Sequence, residues 1–219
     1  MPPPRRAPSR KKAGPHASRV GRPPGKSSAQ TRAEILAGAR RQFERVGYER
    51  ATNRAIAAEA GVTAAAIYQY FSSKGELYAA VVHETLEELM PRLRAVAEAA
   101  PSARAALSAM LREALDNERR RSSMRFLIAV PMEMQRDPEV AEALVAQPGR
   151  FFDLVVEIVT RGARNGEIER AKTERVIGLY VAALMGLAAQ GAVVPADHAE
   201  AALKGFIELL EGTLFDPIK

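Results

Sequence analysis

Apolar positions along this chain recur at helical spacing almost from end to end. Ile35, Leu36, Ala39, Phe43 and Val46 mark one face of a helix over 28–46, with Gly47 as its stop. Ser27 to Gln30 and Thr31 to Glu34 both fit a capping box, so the start lies at either. A short face of Ile56, Ala57 and Ala60 follows, then Gly61 for a tight turn, then Thr63 capping a second short helix whose Ile67 points to the core. Ser73 to Glu76 fits the capping box again and opens a helix through Leu77, Ala80 and Val81. That pattern runs to about residue 98, with Pro91 as a kink or an end. Further helices are predicted from Ser102 through Leu115, along the Met-rich run 124–134 that Pro131 interrupts, and from Asp137-Pro138. Three more cover 151–164, closed by Asn165-Gly166, then 173–190 and 196–210. No segment alternates as a strand does, so the fold class is all-α.

Residues 52–71 carry the chemistry. Two short helices joined at Gly61, the second leaving Thr63, Ala64, Ala65, Tyr68 and Gln69 facing outward, have the layout of a helix-turn-helix. Its second helix would enter the major groove, where a glutamine such as Gln69 can pair with the N6 and N7 edge of adenine. Lys74 opens the next helix, where its amine and the free backbone donors are placed to hold a phosphate.

The leading helix, Gly47-Tyr48, Thr52, Ile56-Ala57, Ala60-Gly61-Val62-Thr63, Ile67-Tyr68, Tyr70-Phe71 and Ser73-Lys74 stand in the order and spacing of one family. Over 28–75 the chain resembles the tetracycline-repressor (TetR) family of bacterial transcription regulators. The resemblance implies a three-helix head over 28–75, with its motif at about 51–70, and a helical effector-binding and dimerisation domain over 76–219. It implies DNA contacts from Thr52, Asn53, Thr63, Ala64, Ala65, Tyr68, Gln69, Tyr70 and Lys74, and double-stranded DNA with a palindromic operator as the target. It implies a homodimer, a small-molecule effector of unknown identity, and a cytoplasmic, nucleoid-associated protein. Ala64 and Ala65 depart from the basic residue and glycine that often open the family's recognition helix, which removes a donor to phosphate or base.

Two further sites follow from the resemblance. Helices over 102–165 would enclose the effector, with Met110, Met124, Met132, Met134, Phe126, Phe151 and Phe152 as an adaptable apolar lining. Asn117, Glu133 and Tyr180 are the polar candidates, and ordinary core packing is the competing reading for each residue. The last two helices would form the dimer face. Gly178, Ala182 and Gly186, spaced by four, make a seam for close approach, beside Val181 and Met185, with Phe206, Leu209 and Leu210 opposite. Completion of the monomer core is the alternative there. By the family's analogy, effector binding would move the helix starting near Ser73 and so change the spacing of two recognition helices.

Charge sharpens the picture. The chain has 219 residues and a formal net charge of +6. Residues 1–27 hold eight Lys or Arg and no acid, residues 28–75 carry +3, and the remainder −5. A basic front and an acidic back suit a protein that meets a polyanion with one end. Residues 1–27, rich in Pro and Arg, lack the apolar content to fold and read as a disordered basic arm. Within it, Gly21-Arg22-Pro23 resembles the core of an AT-hook that lays Arg22 in a narrow minor groove; simple phosphate contact is the other reading. Gly21 to Ser27 is no phosphate loop, since three residues rather than four separate its glycines.

An enzyme is disfavoured. His16, His83 and His198 are scattered, no pair has metal-ligand spacing, and no nucleophile elbow or nucleotide loop is present. No catalytic residue, metal or cofactor is expected. Cysteine is absent, no apolar run reaches a bilayer span, and no secretory signal is evident. The remaining alternative is an architectural DNA-binding protein acting through its arm.

Overall fold

A computed structural model describes residues 27–145, 150–190 and 194–214. Within these residues the protein is built from ten α-helices, with no strand. The head comprises α1 (Ser28–Arg50), α2 (Asn53–Ala60) and α3 (Ala64–Ile67). The long α4 (Lys74–Ala99) leaves the head for the body, which adds α5 (Ala103–Leu115), α6 (Glu118–Arg136), α7 (Pro138–Leu144), α8 (Arg150–Arg164), α9 (Thr173–Gln190) and α10 (Ala196–Glu211).

The caps explain where the helices begin. Of the two candidate starts for α1, Ser27 is the one used: its Oγ accepts the Gln30 N–H at 3.1 Å. Thr31 lies buried one turn inside and donates back to the Ser27 carbonyl. Thr52, Thr63, Ser73, Ser102, Asn117 and Asp137 each accept a backbone N–H at the starts of α2 to α7. Helix α1 breaks at Gly47, whose φ of 79° lies in the left-handed region, and the last turn bends Tyr48 back toward α4. The turn between α2 and α3 uses Gly61 at φ 66°, with its N–H closing on the carbonyls of Ala57 and Ala58.

The head closes on Ile35, Leu36, Ala39 and Phe43 of α1, Ile56, Ala57 and Ala60 of α2, Ile67, and Phe71, all buried. Complete burial of a side chain such as Ile56 contributes roughly 1.5–3 kcal/mol. Both prolines expected to kink or end helices lie inside them, Pro91 in α4 and Pro131 in α6. Packing of these long helices on both sides of each proline keeps them continuous. The cost is one backbone hydrogen bond apiece, because proline has no N–H for the carbonyl four residues earlier.

Head and body share one core. Phe43, Tyr48, Tyr78 and Phe126 form a ring cluster: Phe43 to Tyr78 is 5.1 Å and edge-on, and Tyr78 to Phe126 is 5.1 Å and edge-on. Through Phe126, α6 reaches the head.

Candidate nucleic-acid interface and effector cavity

Thr52, Thr63, Ala65, Tyr68 and Gln69 are exposed together on the outer side of the head, and Ala64 is half-buried behind them. The recognition element is shorter than a full helix. After Ile67 the chain tightens, with Gln69 N–H donating to Ala66 and Tyr70 N–H to Ile67, each three residues back. Asn53 is half-buried, and its Nδ2 donates to the Tyr68 hydroxyl at 2.9 Å, which orients a ring that is 58% exposed. Asn53 therefore acts on Tyr68 from behind. Tyr70 is half-buried too, and its hydroxyl accepts from Ser28 Oγ at 3.3 Å. That contact sets the beginning of α1 against the recognition element. Arg22 lies outside the described residues.

Lys74 does not face outward as its position suggested. Its amine donates to the Glu49 carbonyl at 3.2 Å and stands 4.2 Å from the centre of the Tyr48 ring. Burial pushes its pKa below the ordinary lysine value, opposed by Asp137, Glu133 and Glu49. The bend at Gly47 is the cause, since it folds Tyr48 to Arg50 over the start of α4. Of the first-turn backbone donors of α4, Glu76 N–H is taken by Ser73 Oγ at 3.1 Å, and just ahead of the cap the Glu76 carboxylate accepts from both the N–H and the Oγ of Ser72 at 2.6 Å. That carboxylate is held below its usual range by those bonds. Arg54, exposed on the first turn of α2 beside Asn53, is a cation on this side that sequence reasoning passed over.

In the body, an apolar cavity of about 350 Å³ lies between α4, α6, α7, α8 and α9. Val82 and Leu86 come from α4, Met124, Leu127, Ile128, Val130, Pro131 and Met134 from α6, and Leu144 from α7. Arg150, Phe151 and Phe152 of α8 and Val181, Leu184 and Met185 of α9 complete it. Met124, Met134, Phe151 and Phe152 stand where the sequence suggested. Met110 is instead fully buried among core helices, because α5 is central and its inner face has no access to the cavity. Tyr180 is buried as well, donating to the Leu107 carbonyl at 3.0 Å, and burial pushes its hydroxyl pKa upward. Phe126 belongs to the ring cluster. Asn117 is the cap of α6, Met132 is 55% exposed on its outer side, and Glu133 is turned toward Tyr78, Tyr48 and Lys74. Helical periodicity within α6 separates these residues: Val130, Pro131 and Met134 share the cavity side, while Met132 and Glu133 do not.

Helix α6 ties the cavity wall to the head at three levels. Near its start, Arg40 of α1 donates to Ser123 Oγ at 2.9 Å while pairing with Glu88 of α4 at 2.8 Å and with Glu44. At mid-helix Phe126 meets the head's rings. At its end the Tyr48 hydroxyl donates to the Asp137 carboxylate at 2.8 Å, and that carboxylate also accepts from Glu139 N–H at the start of α7. The Tyr48 bond is the main reason Asp137 titrates below its usual range.

The α9–α10 pair leaves a face uncovered. Leu179 is 70% exposed, and Gly178, Ala182, Met185 and Gly186 are exposed beside it, with Leu209 exposed on α10. A Cβ built on Gly178 or Gly186 would meet nothing within 4 Å. Val181, Phe206 and Leu210 turn inward: Val181 faces the cavity, and Phe206 and Leu210 pack on the core. Leu179, which the spacing argument omitted, takes their place on the face.

A helix-turn-helix head fused through a long helix to a cavity-bearing helical body defines a bacterial DNA-binding regulator. Residues 35–81 match the family described as bacterial regulatory proteins, tetR family, and residues 103–211 match the BetI-type transcriptional repressor C-terminal family. The chain belongs to the TetR family, and it is a DNA-binding transcriptional regulator. It is 28% identical to the transcriptional repressor AcnR of Corynebacterium efficiens over 164 residues, 74% of this chain and 81% of that one. A regulator from Saccharomonospora viridis in complex with choline shares its fold at TM-score 0.66 and 22% identity, covering 82% of this chain and 96% of that one. FadR from Bacillus subtilis in complex with stearoyl-CoA does so at TM-score 0.62 and 18% identity, covering 83% and 98%. Among the described residues no acidic, histidine or cysteine group is arranged to hold a metal, and no helix is long and apolar enough to cross a membrane.

Proposed function

We propose that the protein is a repressor that binds a palindromic operator as a homodimer and leaves it when a small apolar molecule fills the cavity. The observation that carries this reading is the double duty of α6, which walls the cavity on one side and holds Arg40, Phe43 and Tyr48 of the head on the other. A ligand that spreads the α6 wall acts on the second half of α1, from Arg40 to Tyr48, at once. It shifts the DNA equilibrium only by binding the DNA-incompetent arrangement more tightly. In a dimer closed along α9 and α10, the recognition elements must sit about 34–36 Å apart to reach successive major grooves. A small rotation of each head alters that separation.

Tyr68 and Gln69 are the proposed base readers, with Thr52, Thr63 and Ala65 against the backbone and Asn53 holding Tyr68 in place. The contact of Ser28 with Tyr70 supports a role for the basic arm, because the arm joins the molecule beside the recognition element. Choline and stearoyl-CoA, held by two proteins of the same fold, illustrate that fold alone does not choose a ligand. The lining must do so. Selection of genomic fragments by the purified protein tests the proposal: a shared palindrome is expected, and retention that follows A·T content alone would instead identify an architectural DNA-binding protein.

A further inference from the structure

Arg150 is the single charged side chain lining the apolar cavity among the described residues. It is the first residue of α8 and stands at the cavity's edge, since it also borders an adjoining open groove with Glu87, Arg94 and Asp153. Among the described residues no acid lines the cavity itself. The Arg150 guanidinium is instead held from outside by Glu87 of α4, in a charge-assisted hydrogen bond between half-exposed side chains. That bond holds the Glu87 carboxyl below its usual range.

We propose that the effector is an amphipathic monoanion, an unbranched apolar tail with a carboxylate-like headgroup, and that the headgroup takes the place of Glu87 on Arg150. The proposal rests on the ligand-responsive reading given above and names the chemistry of its ligand. The cavity wall offers a tail nothing but aliphatic and aromatic surface, so each added methylene tightens binding about fourfold while room remains. A positive charge at the edge with no acid inside opposes an ammonium headgroup. A neutral headgroup leaves Arg150 with Glu87. An anionic one exchanges one carboxylate for another on the same guanidinium, and a half-exposed ion pair has little net worth to lose. Glu87 then returns to water on the surface of α4.

The exchange has a consequence for regulation. Glu87 follows Leu86, a cavity-lining residue, on the helix that begins at Lys74 beside the head. Its bond to Arg150 ties α4 to α8. Only a ligand with an anionic headgroup cuts that tie, which gives it preference for the arrangement in which α4 is free to move. An uncharged hydrocarbon of the same length fills the cavity and leaves α4 tethered.

Calorimetric titration of the full chain with decanoate, 1-decanol and decyltrimethylammonium, each below its micelle concentration, provides the test. Decanoate is expected to bind roughly tenfold or more tightly than decanol, as a hydrogen bond to a charged group implies, with the ammonium weakest. Arg150→Gln should bring the decanoate-to-decanol ratio near one. Glu87→Gln removes the competing carboxylate and should tighten decanoate several-fold with no matching gain for decanol, a change that a merely structural role for Glu87 does not produce. A ratio that survives Arg150→Gln, or decanoate binding unmoved by Glu87→Gln, overturns the exchange. Equal binding of decanoate and decanol overturns the anionic headgroup while an apolar-ligand regulator stands. Failure of all three to bind removes the cavity as the effector site and takes the ligand-responsive reading with it.

Discussion

The head and the α9–α10 pair are both made of helices with apolar faces, yet they spend those faces differently. In the head, Ile35, Phe43, Ile56 and Ile67 turn inward from separate elements and are covered by one another and by α4. In the pair, Tyr180, Leu184 and Ile207 turn inward, while Leu179 and Leu209 remain exposed on the other side. A helix that is apolar on one stripe completes a monomer; one that is apolar on two has surface left for another partner. The first region is thus covered within one chain, by its own helices and by α4 and α6, whereas the second leaves apolar surface uncovered in the monomer.

The sharpest way to break this comparison is to hollow the head. Phe43→Ala removes the ring that joins Tyr48, Tyr78 and Phe126, and should lower stability by about 3–5 kcal/mol in chemical denaturation. A loss below about 1 kcal/mol, within the range of a surface change, would show the cluster to be loosely packed. Next comes Ala182→Arg on the open face. With no neighbour to clash with inside the monomer, the variant should keep its helical signal while dimer affinity falls a hundredfold or more, about 2.7 kcal/mol. Light scattering that finds an intact dimer would move the interface elsewhere, and a lost helical signal would make the position part of the monomer core.

Smaller effects sharpen the contrast from within the head. Gln69→Ala should cost about 1–3 kcal/mol on the operator and little on random duplex. Equal losses in fluorescence anisotropy would remove Gln69 as a base reader. Tyr48→Phe deletes the bond to Asp137 and should cost about 1 kcal/mol at neutral pH. The pH dependence has a definite sign. Asp137 has a folded pKa depressed below its ordinary 3.8, so its contribution is fully present above that value and is lost as pH falls through the folded pKa. The stability gap between wild type and Tyr48→Phe should therefore be widest above about pH 4 and narrow in more acid solution. A gap that grows on acidification would place the Tyr48 contribution elsewhere than in the Asp137 carboxylate.

Local rules made most of the fold readable. Thr52, Gly61 and Thr63 punctuate the motif whatever surrounds them, because capping and left-handed backbone are decided within a few residues. The shared exposure of Gly178, Ala182 and Gly186 was readable for a similar reason, since four-residue spacing puts them on one side of a helix. Reading failed where two elements far apart in sequence had to meet. Lys74 looked outward until the bend at Gly47 brought Glu49 and Tyr48 over it. Met110 and Tyr180 looked suited to a ligand site until α5 proved to be central.

The sequence by itself determined an all-α chain, the positions of its caps and turns, and a basic charge concentrated at its front, because propensity, capping and charge act at short range or simply add. Only the tertiary structure decided that α6 serves both the cavity and the head, that Arg150 is the one charged residue among the described ones that line the cavity, and which apolar residues of α9 stay uncovered. Those facts depend on which helices lie side by side, and side-chain periodicity along one helix carries no information about its neighbours.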